Sequence, residues 1–456
     1  MKKTFLLCLF ALLLLLEGHA CTMVLVSGSA TADGRPLMFK NRDSAEGYNV
    51  DMRIVRGEGY TYLAQFHYAE GNRVGPWGGF NEKGFAISNT LTYNVTAAGT
   101  DGNSLTIEKA LLSCETVDDF KEMLDSMLNV APLKVKANFG VLDAHGDAAF
   151  FEVWATGYQK YDVNDPEIAP DGVLVRTNYS LSGSTSNRVG EDRYTIASNY
   201  MNGLSEGVNW RDLLQLSRLL VNKKGTNLCN QAPQTFQNEK ALTLDGYIPR
   251  NVSTNAMLIQ GVREDESPLL TVCWSMVGTP ITTVAVPTFL TSDDELPSKV
   301  LADGGKAWLC DRGRVLREFV FAYPQSAKKI DLAKLYNKEG TGIMQIVKGI
   351  EEDVLDRGEA LIAEAREAGE LTPSAWHAYC EWLDPYLEGA YDSAFAFLWK
   401  RGDVNQDNHV DVTDVSVLVN ILLRKSNPTS SSDVNGDKGI NVTDVSNLVN
   451  IILGLE

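Results

Sequence analysis

The chain has 456 residues, 44% of them hydrophobic, so it is long enough for two or three domains and can form sizeable buried cores. Its formal net charge is −18 at pH 7, and no cluster of basic residues interrupts the acidic composition. Because such a surface repels phosphate backbones, nucleic acid is excluded as an expected partner. The seven cysteines have irregular spacings and give no disulfide framework.

The first 20 residues have the layout of a secretory signal peptide. Two lysines precede an apolar run over residues 5–16, and Gly18 and Ala20 precede Cys21 as small residues do at a signal-peptidase site. The run is short for a membrane-spanning helix, and no later segment approaches ~18 uninterrupted apolar residues. The sequence predicts cleavage before Cys21 and a protein that is secreted, periplasmic or held at the cell surface, with no membrane span. For such an exported protein, the sequence leaves open whether one or two disulfide bridges form.

Cys21 would begin the mature chain, and two interpretations of it are open. In the first, Cys21 is lipid-modified as in bacterial lipoproteins, although Gly18 stands where those proteins usually have leucine or a similar aliphatic residue. In the second, cleavage leaves a cysteine with both a thiol and a free α-amine. Because an α-amine has a pKa of about 7.7–8.0 and a thiol one of about 8.5, the amine can take the thiol proton without help from a histidine.

After Cys21, short apolar strands separated by turns dominate. A β-hairpin is predicted from Cys21 to Asp43, with its bend at Asp33-Gly34. Further strands are predicted at GFAISNTLT, NFGVLDA, AAFFEVW and GVLVRTN, and a second hairpin is predicted from NAMLIQGV and PLLTVCWSMVG. Helices are predicted at SLTIEKALLSCETVDDFKEMLDSM, at WRDLLQLSRLLV and throughout residues 294–399. This order favours a layered α+β domain with antiparallel sheets over alternating βαβ units.

The histidines outside the signal peptide show no catalytic pattern. His145 lies in LDAHGDAAF, between two apolar runs, and is predicted to be a hairpin-turn residue. His377, in SAWHAYCEW, is predicted to lie on the surface or in the packing of a helix. No cysteine has papain-like flanking residues.

The C-terminal segment contains two copies of one unit, GDVNQDNHVDVTDVSVLVNILL and SDVNGDKGINVTDVSNLVNIIL. Each copy places oxygen-bearing side chains at positions 1, 3, 5, 9 and 12 of a loop that runs into a helix, which is the spacing of a calcium loop. Asn408 and Lys438 replace the usual glycine, and aspartate replaces glutamate at position 12. The predicted ligands of two calcium ions are Asp403, Asn405, Asp407, Asp411, Asp414, Asp433, Asn435, Asp437, Asn441 and Asp444.

This doubled loop-helix unit, with no helix before the loop, resembles a type I dockerin over residues 402–455. The resemblance implies a small all-α, calcium-binding dockerin module over residues 400–456 that docks onto a cohesin domain or a cell-surface scaffold. Val412-Thr413 and Val442-Thr443 occupy positions 10 and 11 of the two loops, where dockerins select their cohesin. Either copy is therefore an expected contact for the partner.

Five short motifs between Cys21 and about Pro287 resemble those of the N-terminal-nucleophile cysteine amidohydrolases. This group includes penicillin V acylase, choloylglycine hydrolase and acyl-CoA:6-aminopenicillanic acid acyltransferase, with a more distant likeness to dipeptidases that begin with cysteine. The motifs, in order, are CTMVLV, KNRD, GFNEKGFAISN, VRTN and EDRYTIA. The resemblance implies a four-layer αββα Ntn-hydrolase sandwich over residues 21–290, followed by a helical extension of the catalytic domain over residues 291–399.

The first two motifs imply the nucleophile and its nearest partners. Cys21 is the expected nucleophile, and KNRD implies that Asp43 holds and orients its α-amine. The family's arginine falls on Lys40 in this sequence, so the cation that faces the thiolate is either Lys40 or Arg42.

The other motifs imply the remaining catalytic residues. In GFNEKGFAISN the expected site residue is Asn89, whereas Asn81 is expected to be a turn residue. VRTN implies that Asn178 donates its side-chain amide to the developing oxyanion. EDRYTIA implies that Arg193 is a buried cation near the site.

The activity implied is cleavage of a linear, non-peptide or terminal amide of a small molecule through a thioester on Cys21, with no cofactor for catalysis. Water as acceptor gives hydrolysis, and an amine gives acyl transfer. Two alternatives remain open. One is an N-terminal-cysteine dipeptidase, whose pocket would recognise a free amino group through a carboxylate. The other is a non-catalytic, dockerin-bearing surface lipoprotein.

Overall fold

The computed structural model describes residues 21–44, 49–69, 72–99, 102–303, 306–321, 329–398, 401–405, 409–426, 428, 431–437 and 439–455. The predicted signal peptide, Asp407, Asn408 and Lys438 lie outside these residues. The chain divides into two compact units, Met1–Glu381 and Trp382–Glu456. Within the described ranges, no helix combines the length and hydropathy needed to cross a bilayer.

Strands dominate the first part of the chain and helices the last. The strands are β1 (Cys21–Val26), β2 (Leu37–Asp43), β3 (Asn49–Val55), β4 (Tyr62–Ala69), β5 (Asn72–Val74), β6 (Gly78–Asn81), β7 (Ala86–Leu91), β8 (Ala137–Leu142), β9 (Ala148–Trp154), β10 (Gly157–Asp162), β11 (Val173–Arg176), β12 (Ala241–Thr243), β13 (Ser253–Gln260), β14 (Val272–Met276), β15 (Val286–Thr288), β16 (Ala302–Asp303), β17 (Lys306–Ala307) and β18 (Lys329–Asp331). The helices are α1 (Gly102–Ser113), α2 (Val117–Val130), α3 (Glu191–Asn202), α4 (Trp210–Leu216), α5 (Trp308–Phe321), α6 (Leu332–Leu335), α7 (Ile343–Ala368), α8 (Pro373–Ala394), α9 (Val412–Leu422) and α10 (Val442–Ile452).

Two antiparallel sheets form the centre of the larger unit. The first has six strands in the order β11-β1-β2-β13-β14-β15, and the second has eight, in the order β10-β9-β8-β7-β6-β4-β3 with β5 beside β4. The expected hairpin of β1 and β2 is confirmed, with Cys21 opposite Arg42 and Val26 opposite Leu37. Because β1 lies between β2 and β11, its first residue is held inside the sheet and not at an edge.

The two sheets pack face to face, and helices cover their outer faces. β1 and β2 of the first sheet contact β7, β8 and β9 of the second, while α1 lies against β6 and β7. On the other side, α3 contacts β1 and β11, and α4 contacts β2 and β13. The sheets approach closely, because a Cβ added at Gly140 of β8 would lie 2.7 Å from the Met23 Cε. This arrangement is the predicted four-layer αββα sandwich.

Helix α2 seals one outer face of the sandwich. Phe120 packs edge-on against Phe139 and Phe151 of the second sheet, at ring-centroid distances of 5.7 and 5.2 Å. The sequence predicted one helix over residues 104–127, but the chain forms two. Thr116 and Asp119 make a reciprocal capping box that starts α2, so the helix is interrupted between Ser113 and Val117.

Helix α7 of the C-terminal part packs on the sandwich. It contacts β15, and a Cβ added at Gly358 would lie 2.9 Å from the Trp274 ring of β14. The helix predicted over residues 210–221 ends at Leu216, because Arg218 leaves the helix to form a buried ion pair with Glu351 of α7 at 2.5 and 2.7 Å. Glu351 also accepts a hydrogen bond from the main-chain N–H of Ala285.

We expect Glu351→Gln to lower the free energy of unfolding by about 3–5 kcal/mol, because it leaves the Arg218 charge buried without its counter-charge. The neighbouring Glu352 is a matched control. Its side chain is 55% exposed and its pair with Arg211 spans 3.2 Å, so Glu352→Gln should cost at most about 1 kcal/mol. Urea unfolding of the two variants measures the difference, and equal midpoints would contradict the prediction.

The smaller unit contains helices α9 and α10, which pack on each other. Asp411 and Asn441 occupy the N-caps of the two helices, each with a capping box closed by the aspartate three residues later. The small core between the helices consists of Val404, Leu418, Ile421, Val434 and Leu448. The two repeats therefore fold in the same way.

Candidate active site

The candidate site is built around Cys21, the first residue of β1. Its side chain is almost fully buried, with 7% of the residue exposed. Its main-chain nitrogen donates a hydrogen bond to the Asn178 Oδ1 at 2.6 Å. Asn178 lies two residues beyond the end of β11, the strand paired with β1, so the sheet itself brings the two residues together.

Arg193 of α3 contacts both Cys21 and Asn178. Its guanidinium donates to the Cys21 carbonyl oxygen, to the Thr22 Oγ1 at 2.9 Å and to the Asn178 Oδ1 at 2.8 Å. The Asn178 Nδ2 donates to the Leu91 carbonyl oxygen at 2.7 Å. Cys21, Asn178 and Arg193, predicted from three separate motifs, are thus in direct contact.

Two further cations share the face of the sheet from which the Cys21 side chain projects. Arg42 lies opposite Cys21 in the β1–β2 register, and Lys40 lies opposite Met23. Opposite residues of an antiparallel pair point to the same face, as do residues two apart in a strand. Both cations interact electrostatically with Cys21. The structure therefore does not select one of them as the cation that faces the nucleophile.

Trp77 organises both cations. Its carbonyl oxygen accepts a hydrogen bond from the Lys40 Nζ at 2.8 Å, and the Arg42 guanidinium lies over its ring, 4.8 Å from the centroid. The indole nitrogen donates to the His67 Nδ1 at 2.5 Å, and the His67 ring stacks on the indole. The Arg42 guanidinium also donates to the Thr254 Oγ1 at 3.1 Å.

Asp43 lies on the opposite face of β2. Its Oδ1 accepts hydrogen bonds from the Ser253 hydroxyl at 2.6 Å and the Asn41 Nδ2 at 2.9 Å. Its Oδ2 is buried, makes no hydrogen bond within the described residues and lies 3.7 Å from the Arg250 guanidinium. Burial raises the pKa of Asp43, while Arg250 and Arg193 oppose the rise.

Asn89 and Asn81 differ in their surroundings. The Asn89 Oδ1 accepts a hydrogen bond from the Lys40 Nζ at 3.2 Å, so Asn89 reaches the site through Lys40. The side chain of Asn81 binds main-chain groups of the turn that follows it and of residues 111 and 114. These contacts are those of a structural turn residue, as the sequence predicted.

The two C-terminal loops hold their aspartates in matching positions. Asp414 accepts hydrogen bonds from the main-chain N–H groups of Asn405 and Asp411, and Asp444 accepts those of Asn435 and Asn441. Both aspartates are fully buried. Among the described side chains, no three acidic, histidine or cysteine groups converge as a metal cluster, and Asp407 lies outside those residues.

Two models of known protein families match this chain, one in each part. The model of the acyl-coenzyme A:6-aminopenicillanic acid acyl-transferase family matches residues 29–200, a segment that contains Asp43, Asn89, Asn178 and Arg193 and begins after Cys21. The segment is therefore similar to this family. The dockerin type I domain model matches residues 401–453, so the chain also carries a type I dockerin domain.

Two solved structures are also similar to part of this chain. A mutant conjugated bile acid hydrolase from Clostridium perfringens is 12% identical, with a TM-score of 0.35 over 60% of this chain and 93% of that one. Penicillin V acylase from Agrobacterium tumefaciens is 14% identical, with a TM-score of 0.35 over 60% of this chain and 87% of that one. No curated protein matches the sequence.

The remaining cysteines and histidines lie apart from the candidate site or support it. No disulfide joins any of the six described cysteines. His145 lies in the turn between β8 and β9, as predicted. His377 is on the surface of α8, where Glu295 accepts its hydrogen bond and raises its pKa.

Four site residues were not predicted from the sequence: Trp77, His67, Arg250 and Tyr93. Burial raises the pKa of Tyr93 to about 12, and Cys21 and Arg193 both act on its charge, so its phenol lies in the electrostatic range of the thiol. Trp77 could have been singled out in the GPWGGF segment, because it is a large aromatic residue between a proline and a glycine. The others depend on the packing of distant strands and carry no local pattern.

The charge of Lys40 should make activity fall at alkaline pH. Burial lowers the pKa of Lys40 to about 8; the Cys21 charge opposes this and the Arg42 charge adds to it. As pH rises through about 8, Lys40 loses the positive charge that acts on Cys21, so kcat/KM should decline. We expect Lys40→Arg to remain charged and to extend activity to higher pH. Superimposable pH–rate profiles of the two enzymes would contradict this role.

Proposed function

We propose that the chain is an amide hydrolase or acyltransferase that uses Cys21 as its N-terminal nucleophile once residues 1–20 are removed. The observation that carries this proposal is the double hold on Cys21, whose main-chain nitrogen and carbonyl oxygen are bound by Asn178 and Arg193. Three buried cations, Lys40, Arg42 and Arg193, act on the charge of Cys21. Their positive charges act on the sulfur that attacks the carbonyl carbon in the proposed reaction.

The proposed reaction begins with transfer of the thiol proton to the α-amine of Cys21. The sulfur then bonds to the amide carbonyl carbon, and the oxyanion receives hydrogen bonds from the site. Leu91 takes one N–H of the Asn178 side-chain amide, and the second N–H is the proposed donor to the oxyanion. The α-ammonium gives its proton to the nitrogen of the leaving amine as the C–N bond breaks.

The thioester is then cleaved. Water attacks its carbonyl carbon, gives a proton to the α-amine and releases the acid with a regenerated thiol. An amine in place of water gives a new amide and hence acyl transfer. The buried Oδ2 of Asp43, which has no hydrogen bond within the described residues, is the proposed acceptor for the α-ammonium formed in each half-reaction.

The lipoprotein alternative receives less support. A diacylglycerol group on the Cys21 sulfur would need an exposed thiol near a surface, whereas Cys21 begins an interior strand and is 7% exposed. Burial of the thiol among three cations suits a nucleophile.

For the smaller unit we propose two bound calcium ions and a cohesin domain as partner, which would place the enzyme outside the cell on a scaffold. The oxygen-only donor sets of the two loops suit calcium, a hard cation. Val412 and Val442, which are 70% and 72% exposed, lie at equivalent places at the starts of α9 and α10 and are proposed contacts for the cohesin.

Chelation of calcium should destabilise the smaller unit selectively. We expect EDTA to lower the melting temperature of that unit in the full chain by about 10–20 °C, because a ligand at about 100 times its Kd stabilises a fold by about 2.7 kcal/mol. Amide cleavage should continue unchanged. Asp444→Ala should remove part of the rise in melting temperature that calcium produces. A melting curve that neither EDTA nor calcium changes would contradict calcium binding.

The first test of the proposed enzyme is the intact mass and N-terminal sequence of the exported protein, followed by a screen of small-molecule amides. A chain that begins with an unmodified Cys21 and releases amine from at least one amide is the expected result. A diacylglycerol adduct, a different mature N-terminus, or a free Cys21 with no activity on any amide would overturn the proposal.

A further inference from the structure

A small cavity lies on the helix side of the first sheet, between the sheet and helices α4 and α7. Trp210, at the start of α4, and Trp274 of β14 line it and stack on each other, with ring centroids 4.2 Å apart. Arg366 of α7 lines the same cavity, whose volume is about 160 Å³. The candidate active site is separate from this cavity, because its cations contact residues of the second sheet.

Three N–H donors at the cavity have no hydrogen-bond acceptor within the described residues. They are the Arg366 Nε and Nη2 and the Trp274 Nε1, and all three atoms are buried. The side chain of Arg366 is 13% exposed, and Trp274 is fully buried. Because buried polar groups are nearly always hydrogen-bonded, these donors indicate that an acceptor belongs in the cavity.

The guanidinium of Arg366 has a carboxylate near one of its nitrogens only. Its Nη1 lies 3.9 Å from the Asp33 Oδ2, which accepts hydrogen bonds from the Arg35 Nη1 at 2.9 Å and the Gln260 Nε2 at 2.8 Å. Burial lowers the pKa of Arg366 to about 10; two neighbouring arginines add to this effect, and Asp33 and Glu266 oppose it. Arg366 is therefore protonated at neutral pH, with its Nε and Nη2 available to a ligand.

The geometry of these two nitrogens suits a carboxylate. The Nε–H and Nη2–H groups of a guanidinium are parallel and fit the two oxygens of one carboxylate. Val208, Ile362 and the two tryptophans supply apolar walls around them. An apolar cavity of about 150 Å³ can hold benzene, so this cavity suits a ligand with a body of about that size.

The two acidic side chains that line the cavity are already bound to other groups. Asp33 accepts the hydrogen bonds described above. Glu359 accepts hydrogen bonds from the Trp210 Nε1 at 3.3 Å and from the Arg211 Nη2 at 2.8 Å. Its side chain is 49% exposed, so water and salt screen its charge. A further anion beside Arg366 is therefore compatible with both carboxylates.

We propose that this cavity binds a small molecule that has a carboxylate group and an apolar or aromatic body. The carboxylate accepts hydrogen bonds from the Nε and Nη2 of Arg366 and from the indole N–H of Trp274, and the body lies against the apolar walls. Such a ligand contacts α4, α7 and the first sheet together, so its binding stabilises their packing. The inference is independent of the proposed function.

The test uses three ligands of nearly the same shape: benzoate, which is anionic, benzamide, which is neutral, and benzamidine, which is cationic. Calorimetry with the mature full chain should show benzoate binding about 10- to 100-fold more tightly than benzamide, as charge-assisted hydrogen bonds allow. Benzamidine should bind most weakly. Equal affinities for the three ligands, or tighter binding of benzamidine or of inorganic phosphate than of benzoate, would overturn the proposal.

Variants locate the bound benzoate. Arg366→Gln should lower the affinity for benzoate by about 10- to 100-fold, and Arg366→Lys, which keeps the charge but not the paired N–H groups, should restore only part of it. Arg357→Gln is the matched control, because Arg357 is an exposed arginine of the same helix that does not line the cavity. An unchanged affinity in Arg366→Gln would show that benzoate binds elsewhere and would overturn the proposal.

Melting curves supply a second readout and show that the variants are folded. Benzoate at about 100 times its Kd should raise the melting temperature of the wild-type chain and of Arg357→Gln, but not that of Arg366→Gln at the same concentration. Without ligand, Arg366→Gln should melt close to the wild type, because the Nε and Nη2 that it removes make no hydrogen bond within the described residues. An equal benzoate-induced rise in folded Arg366→Gln would contradict the assigned site.

Discussion

Cys21→Ala is expected to lower kcat on any amide substrate by about 10⁴-fold or more, because it removes both the attacking sulfur and the thioester intermediate. The fold should be retained, since the hydrogen bonds to Asn178 and Arg193 involve the main chain of residue 21 and not its side chain. Release of the amine product under saturating substrate measures the effect. The intact mass of the variant must show that it still begins at residue 21.

A second buried cysteine supplies the matched control. Cys273 lies fully buried in β14, and burial raises the pKa of its thiol to about 12, so it is unsuited to nucleophilic attack. Cys273→Ala should keep kcat near the wild-type value at a temperature where the protein is folded. If Cys21→Ala retained a tenth of the activity while Cys273→Ala lost it, the nucleophile would have been assigned to the wrong residue.

Asn178→Ala is expected to lower kcat by about 10²- to 10³-fold, with a smaller effect on KM, because an oxyanion donor acts mainly in the transition state. The substitution also removes the acceptor of the Cys21 nitrogen, so the α-amine should lose its orientation. Steady-state kinetics on one amide measure the split between kcat and KM. A variant that raised KM alone would show that Asn178 only binds substrate.

Asn81→Ala is the control for a buried asparagine. Asn81 makes four main-chain hydrogen bonds in and near the turn after β6, so its loss should lower the melting temperature. Its kcat should stay near the wild-type value below that temperature. A loss of kcat in folded Asn81→Ala as large as that in Asn178→Ala would mean that any buried asparagine produces the effect.

Sequence patterns predicted the strands that surround the nucleophile, because these are short apolar runs bounded by turns. β2 and β9 occupy the predicted segments LMFKNRD and AAFFEVW, and β13 and β14 form the predicted hairpin. β3, β4 and β10 were not predicted, because polar residues such as Asp51, Gln65 and Lys160 interrupt their apolar runs. Their pairing depends on neighbouring strands that no local pattern encodes.

The site was only partly predictable for a similar reason. Cys21, Asn178 and Arg193 each stand in a motif, and their contacts arise when β1 and β11 pair and α3 packs on them. The positions of Lys40 and Arg42 follow from strand alternation, which puts both on the face of Cys21. The hydrogen-bond and stacking partners of these cations could not be predicted, because Trp77, between β5 and β6, and Thr254 of β13 lie far apart in the sequence.

The buried ion pair of Arg218 and Glu351 determines how much of the chain a fusion protein must retain. A chain cut at residue 290, where the motifs end, would lose α7, leave the Arg218 charge uncompensated and uncover the Trp274 ring against which Gly358 packs. Such a fragment should aggregate on expression. The transferable part therefore has to include α7, and a fusion or an exchange of the docking module should be designed after Ala394, where α8 ends.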